Sequence, residues 1–466
     1  MSGIAELLAN LGYVVTGSDE KRSTVTERLS TLGILVEYGH QAANVGNADV
    51  VVCSSAVRPT NPEIVHAAMR KIPVIPRAEM LAELMRLRYA VAVAGSHGKT
   101  TTTSMIAVAL ERAGLDPTAV IGGRLSAFGS NARLGRGEVI VAEADESDRS
   151  FLKLFPTIAV ITNIDREHIE NYGSLKALQD AFVDFANKVP FHGAVVACVD
   201  DAPLAEVLPR VTRRVITYGL DARHADLTVA DVSMAPLGST ATVLDRTCAR
   251  GLPHRHRSGE MATALGEIQL RVPGRHNLQN ALAAVAVGLE LGLSFERVAV
   301  GLEEFRGAER RFEVRGEPNG VLVVDDYGHH PTEIAAVIAA AQTFGRRIIV
   351  AFQPHRFSRT SMLMDAFGPA LSQAHRVVLT DIYGAGEDPL PGVTIEALAA
   401  SIERTSSVSV EVVPRLADVA PVLADIAQPG DIVITLGAGS IATVPAQLIG
   451  LLARGERGDT DTRTLP

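Results

Sequence analysis

Cysteine is scarce. Cys53, Cys198 and Cys248 are the only three in a chain of 466 residues, and they lie far apart. They form neither a disulfide framework nor a zinc-ligand spacing, which fits a reducing cytoplasm. No signal peptide is legible, nor any run of about 18 apolar residues that would cross a bilayer. Positive charge is not in excess: the net charge is −9. That balance excludes a generally basic surface for nucleic acid or membrane, while a local basic groove for an anionic ligand stays possible. No internal repeat is present.

One further absence is local. In "MSGIAELLANLGYVVTGSD", Ile4, Leu7, Leu8 and Leu11 recur at i, i+3, i+4 and i+7, so a helix is expected, ended by Gly12. "YVVTGSD" then reads as a short buried strand closing on Asp19. Helix, strand and terminal acid make the second half of a nucleotide-binding βαβ unit. The strand and glycine-rich turn of its first half do not precede the helix. The reading is therefore of a first domain without its first strand, through a start assigned too late or a real truncation. The expected result is weak binding of the ligand that such a turn would hold.

What is present is an alternation of short apolar runs and helical patterns, which implies an α/β class with largely parallel sheets. The 466 residues exceed one core. Boundaries are expected near Tyr89 and Gly307, giving domains 1–89, 90–307 and 308–453 with a polar disordered tail 454–466. Residues 221–264 break the periodicity and read as an irregular excursion or hairpin.

The strongest motif is "VAVAGSHGKTTTTSMIAVALERAG". A buried strand meets Gly95-Ser96-His97-Gly98-Lys99-Thr100-Thr101, and a long helix follows. Backbone N–H groups and the helix dipole at such a turn favour phosphate, Lys99 adds a point charge, and the Thr100 hydroxyl suits Mg²⁺. Val93 stands where the common phosphate-loop pattern has its first glycine. The bland alternative is a glycine turn capped by threonines. In "VIVAEADESD", Glu143 ends a strand and is a candidate oxygen ligand for a hard cation, against the alternative of a solvated acidic loop. His168, in "TNIDREH", is an unusual Mg²⁺ ligand on chemistry alone. Asn277 and Asn280 share a helix face and can read an adenine edge, or Asn277 can be an N-cap. Arg310 and Arg311, then Asp325, Asp326, Tyr327, His329 and His330, then His355, Arg356 and Arg359, and the runs "DIYGAGE" and "TLGAGS" all lie at strand ends. Ligands bind there in open α/β sheets. Surface salt bridging is the plainer account of the arginines, and no further Cys or His completes a zinc site around the two histidines.

Together "GSHGKTTTT", "EADESD", "TNIDREH", "GRHNLQNALAA", "DDYGHHPTEI", "FQPHRFSRT" and "GAGS", in this order, resemble the Mur ligases over nearly the whole chain. The resemblance implies a Rossmann-like N-terminal domain, a central P-loop ATPase domain with a mainly parallel sheet, and a Rossmann-like C-terminal domain. It implies ATP-dependent ligation of L-alanine to the carboxylate of UDP-N-acetylmuramate through an acyl phosphate, in cytoplasmic peptidoglycan precursor synthesis. The alternatives are a recycling ligase that attaches a tripeptide, or a truncated form that binds ATP without ligating. Carried over by motif, Lys99 serves the ATP phosphates, while Thr100, Glu143 and His168 serve Mg²⁺. Asn277 and Asn280 serve adenine, and Arg311 and Asp326 the nucleotide site. Tyr327, His329, His355, Arg356 and Arg359 would line the place where carboxylate and alanine meet. Asp19, Ser54, Ser55 and Arg77 would hold the UDP-sugar. Lys188 is not an obvious match for the carbamylated lysine of many members. The expected state is a monomer or weak homodimer, with neither nucleic acid nor membrane as partner.

Overall fold

The computed structural model describes residues 1–54, 57–125, 130–247 and 262–459. The expected amphipathic helix forms at Ser2–Asn10 and buries Ile4 and Leu7. Gly12 follows at φ +91°, a conformation that costs glycine little. Four short strands follow: β1 (Thr16–Asp19), β2 (Leu35–Tyr38), β3 (Val51–Cys53) and β4 (Val74–Pro76). The expectation of a buried strand in "YVVTGSD" is corrected. Val14 is 97 % exposed, and of β1 only Ser18 is even half-buried. The physical reason is pairing. Among the described residues β1 pairs with β2 alone and β3 with β4 alone, each in parallel, so the four strands make two separate ribbons. An apolar run predicts burial only where layers cover both faces.

The chain forms two compact units, one of Met1–Val232, Ala241–Gln269 and Gln279–Arg306, the other of Ser233–Thr240, Leu270–Leu278 and Gly307–Pro466. The largest sheet contains β5 (Tyr89–Ala94), β6 (Thr118–Leu125), β7 (Ser130–Arg133), β8 (Val139–Glu143), β9 (Ile158–Ile161), β10 (Ala194–Cys198), β11 (Val215–Tyr218), β12 (Leu227–Ala235), β13 (Gly238–Asp245) and β14 (Thr263–Leu270). Its order is β14-β13-β12-β11-β10-β9-β5-β8-β6-β7. β5 lies between β8 and β9, parallel to both, and Ala90–Ala94 are buried. The turns that follow β5, β8 and β9 therefore emerge side by side. The stretch expected as an irregular excursion or hairpin supplies β12 and β13, with residues 248–261 outside the description.

In the second unit the sheet order is β15-β16-β20-β17-β18-β19, from β15 (Glu313–Gly316), β16 (Leu322–Asp326), β17 (Ile348–Phe352), β18 (Arg376–Leu379), β19 (Ser409–Val412) and β20 (Ile432–Leu436). Only β15 runs antiparallel to its neighbour. Buried aliphatic clusters cover both faces, one around Val324, Val350 and Ile434, the other around Val323, Ile349 and Val433. Alternate residues of the same strands feed the two clusters, as the period of a β-strand requires. β20 returns between β16 and β17, so three adjacent carboxyl ends carry Asp326, Gln353 and Gly437. The last helix runs Val444–Asp459, six residues into the stretch expected to be a disordered tail. No helix among the described residues is long and apolar enough to cross a membrane.

Candidate functional site

The first group of site residues is built on β5. Its chain turns at Gly95 and enters the helix Lys99–Arg112 from Gly98. Gly95 has φ +136°, and a Cβ there would meet Thr162 Oγ1 at 2.0 Å. Gly98 has φ +80°, with Asn280 Oδ1 at 2.9 Å from where a Cβ would sit. Both glycines are required by sterics, one for the seat on β9 and one for the approach of Asn280. The turn is pinned to the end of β9. Ser96 N–H donates to Asn163 O at 3.1 Å, His97 N–H to Asn163 Oδ1 at 2.8 Å, and Thr162 Oγ1 to His97 O at 2.6 Å. The His97 ring meets Asp165 at 2.9 Å.

Lys99 folds back over this turn. Its Nζ donates to Gly95 O at 2.7 Å, to Ser96 O at 3.1 Å and to Glu146 Oε1 at 3.0 Å. Glu146 is fully buried. Burial by itself would lower the Lys99 pKa, but Glu146, Glu167, Glu143 and Asp145 outweigh it and hold the ammonium above its ordinary value. Burial pushes the Glu146 carboxyl up to about 7 against the pull of that lysine. Thr100 Oγ1 donates to both oxygens of Glu143, at 3.1 and 3.0 Å, and Gly122 N–H donates to Glu143 Oε2 at 2.7 Å.

His168 stands at φ +57°, 3.7 Å from a Glu167 oxygen. Ligand atoms of Glu146, Glu167 and His168 all lie within 4.8 Å of one another. The structure thus brings Thr100 and Glu143 together, and places His168 with two carboxylates that sequence reasoning passed over. Glu146 and Glu167 sit inside motifs already quoted, but carboxylates at strand ends are usually solvated, and nothing in the sequence marks these as buried. Carboxylate and hydroxyl oxygens of this kind suit a hard cation such as Mg²⁺. Lys188 is committed elsewhere, donating to Leu152 O with its ammonium over the Phe155 ring.

Asp19 ends β1 and Ser54 follows β3, while Arg77 opens the helix after β4. All three are at carboxyl ends of strands, and Ser55 lies outside the described residues. Beside Asp19 is a group that sequence reasoning missed. Ser18 Oγ donates to Glu63 Oε2 at 2.7 Å and lies 3.0 Å from His40 Nδ1.

The second unit carries the other group. The Asn277 side chain donates to Pro273 O at 2.7 Å, which ties it to the start of the helix Arg275–Glu290. Arg310 Nε donates to Asp325 at 2.9 Å and its terminal nitrogen to Gly437 O at 2.6 Å, fastening the "GAGS" turn. Arg310 and Arg311 both lie over the Tyr327 ring, at 5.3 and 5.4 Å. Asp326 receives N–H bonds from Phe312 and Gly328, each 2.6 Å. Burial pushes its carboxyl up to about 6, against Arg311. Tyr327, His329, His355 and Tyr383 form a row of rings with successive centroids 5.5, 5.6 and 5.6 Å apart. His355 Nδ1 accepts from Arg359 at 3.2 Å. Burial, then His329, Arg359 and Arg356, lower the His355 pKa to about 4, so its imidazole is neutral at pH 7. Arg356 itself has φ +70° and ψ 136°, a region in which a non-glycine residue costs about 1–3 kcal/mol.

Three family models match successive segments: "Mur ligase family, catalytic domain" at 1–89, "Mur ligase middle domain" at 93–288, and "Mur ligase, glutamate ligase domain" at 310–439. Proteins named UDP-N-acetylmuramate–L-alanine ligase are similar over nearly their whole length. That of Geotalea daltonii is 52% identical over 96% of this chain and 95% of its own, and that of Anaeromyxobacter dehalogenans 50% over 97% and 96%. The crystal structure of UDP-N-acetylmuramate-alanine ligase MurC from Thermotoga maritima is 29% identical with a TM-score of 0.78, covering 98% of this chain and 97% of that one. MurF ligase from the same organism, solved with ADP, shares the fold at a TM-score of 0.63 and 18% identity over 89% of this chain and 96% of its own. The chain belongs to the Mur ligase family.

Proposed function

We propose that this protein is an ATP-dependent ligase that joins L-alanine to the carboxylate of UDP-N-acetylmuramate. The observation that carries the reading is identity of 52% over 96% of the chain to proteins of that name. The geometry is consistent with its chemistry. A carboxylate oxygen attacks the γ-phosphorus of ATP, ADP leaves, and an acyl phosphate remains. The alanine nitrogen then attacks the acyl carbon, inorganic phosphate departs, and the nitrogen gives up a proton.

Phosphoryl transfer needs positioning and charge neutralisation rather than covalent help. The first turn of the helix that begins at Lys99 supplies N–H groups at a helix N-terminus, and Lys99 supplies a fixed positive charge. To reach a phosphate, Lys99 exchanges its bonds to Gly95 O and Glu146 for phosphate oxygens. Thr100 with Glu143, and Glu146, Glu167 and His168, are the oxygen and nitrogen donors that would hold Mg²⁺, which neutralises phosphate charge when bound. Asn280 lies against the turn for the nucleotide. Arg356 and Arg359 present planar forks for carboxylates, which a lysine would match less well. The neutral His355 imidazole beside them accepts from Arg359 at Nδ1 and so holds that guanidinium in place. Asp19, Ser54 and Arg77, at strand ends of the first ninety residues, are the proposed contacts of the UDP-sugar.

The test is ADP formation from ATP with UDP-N-acetylmuramate, with and without L-alanine, and with the tripeptide L-alanyl-γ-D-glutamyl-meso-diaminopimelate in its place. Turnover that depends on L-alanine supports the reading. Turnover only with the tripeptide makes the protein a recycling ligase, and none with either acceptor overturns ligation.

A further inference from the structure

The segment Tyr383–Glu387 has no role in the reaction proposed above, yet it touches His355, Arg356 and Ser358. It is built from tight turns: Ala385 has φ +51° and Gly386 φ +87°, and Glu387 N–H donates to Gly384 O at 2.9 Å. At its start, Tyr383 bridges the strand end of His355. Arg356 N–H donates to Tyr383 O and Tyr383 N–H to Pro354 O, both at 2.8 Å. The Tyr383 ring stacks on His355 at an interplanar angle of 16°. On its other side the ring presses on the "GAGS" turn, where a Cβ on Gly439 would meet Tyr383 Cγ at 2.7 Å.

At its end, Glu387 closes on the helix Phe357–Leu363, which carries Arg359. One carboxylate oxygen accepts Ser358 N–H at 3.0 Å and the other accepts Ser358 Oγ at 2.7 Å. The carboxylate also faces Arg356 at 3.9 Å. Burial would raise the Glu387 pKa, but the Ser358 bonds and Arg356 hold it below its ordinary value. The residue so enclosed, Arg356, is the one in the strained backbone conformation. Such strain persists only where surrounding structure over-determines it. Here the Tyr383 bridge fixes the residue on one side and the Glu387 cap fixes the next turn on the other.

We infer that Glu387 is a positioning residue for the amino-acid acceptor: through Ser358 and Arg356 it fixes the first turn of the helix so that Arg356 and Arg359 meet the acceptor's carboxylate, while Tyr383 walls the site over His355. The inference rests on the ligase reading above. An α-amino acid presents a carboxylate that a preorganised pair of guanidinium forks binds more tightly than a mobile pair.

The experiment compares Glu387→Ala, Glu387→Gln and Ser358→Ala in the full chain. KM for L-alanine, KM for ATP and kcat come from phosphate release, and amide exchange of residues 356–360 is followed without substrates. Glu387→Ala should raise KM for L-alanine about tenfold or more, with kcat and KM for ATP within about threefold of the parent. Glu387→Gln keeps an acceptor for Ser358 and should restore KM to within about threefold. Amide exchange at Ser358 should quicken in Glu387→Ala. A uniform loss across all three kinetic parameters, with no rescue by glutamine, would mean a merely structural residue and overturn the inference. So would unchanged KM for L-alanine, or unchanged exchange at Ser358. Ser358→Ala gives the same split if Glu387→Ala fails to fold. A parent enzyme without alanine-dependent phosphate release overturns the ligase reading itself, and the exchange measurement still decides whether Glu387 orders the helix.

Discussion

The two groups of site residues differ in their cations: a lysine set among carboxylates in the first, arginines paired with carboxylates in the second. On β5, β8 and β9, one lysine is set among Glu143, Asp145, Glu146 and Glu167. Around the carboxyl ends of β16 and β17, Arg310, Arg311, Arg356 and Arg359 stand with Asp325, Glu333 and Glu387 about the row of rings from Tyr327 to Tyr383. Burial by itself lowers the pKa of both Lys99 and His355, and the neighbouring charges decide the outcome. The carboxylates around Lys99 drive its pKa up, whereas burial and neighbouring guanidinium groups drive His355 down to about 4. An acid-rich cluster concentrates cations, a metal ion or an ammonium. A cluster that holds several guanidinium forks can offer them to carboxylates and phosphates. The division of labour proposed for the ligase follows from that contrast, and the contrast can be broken at named residues.

The largest effect belongs to Lys99. Lys99→Ala removes the lysine of the acidic group, and turnover should fall about a thousandfold or more in a variant that still folds, with a lower Tm because Glu146 loses its ion-pair partner. ADP release at the parent's rate would refute the assignment. Arg359→Ala attacks the other group. KM for L-alanine should rise about a hundredfold with ATP affinity unchanged, because a bidentate contact to a carboxylate is lost. Loss of ATP affinity instead, by titration, would move this residue to the nucleotide site. Glu143→Ala and His168→Ala should each raise the Mg²⁺ concentration for half-maximal activity about tenfold. Coincident Mg²⁺ curves for parent and variants would remove both from the metal's donors.

The smallest effect is on stability. His276 has its pKa lowered to about 4 from 6.5 by burial and by Arg311. The unfolded chain then binds the extra proton first, so stability is fully present above about 6.5 and drains as pH falls towards 4. Lys99 works at the other end of the scale. Its raised pKa gives stability that is lost only as pH climbs above the ordinary lysine value. His276→Gln should flatten the acid limb of Tm against pH and leave the alkaline limb alone. An acid limb of unchanged slope would place its origin elsewhere.

Much of this was legible in the residues. The order strand, Gly95, Gly98, Lys99, helix is a local pattern, and the chain folds there as strand, turn and helix. Asp326, Tyr327, His329 and His355 were found because a parallel sheet gathers its carboxyl ends. Glu146 and Glu167 escaped, because their burial is settled by neighbours 47 and 70 residues away along the chain, such as Lys99 and His97. Glu387 escaped for the same reason: its partner Ser358 is 29 residues distant. "YVVTGSD" misled because an apolar run says what a strand can bury, and pairing decides whether anything covers it.

That last point bears on how the molecule opens. A two-stranded ribbon is marginal in water by itself, and β1–β2 and β3–β4 are two such ribbons, with Tyr13, Val14 and Leu35 exposed. Stability need not be shared evenly, and segments with few buried apolar contacts open at low free-energy cost without global unfolding. The amides of β1 to β4 should exchange with solvent well before those of β5, where Ala90 to Ala94 are sealed in the sheet. A protease at low concentration should nick the first ninety residues while the remainder stays folded, so the region proposed to read the sugar nucleotide is also the one that ordering by a ligand would change most.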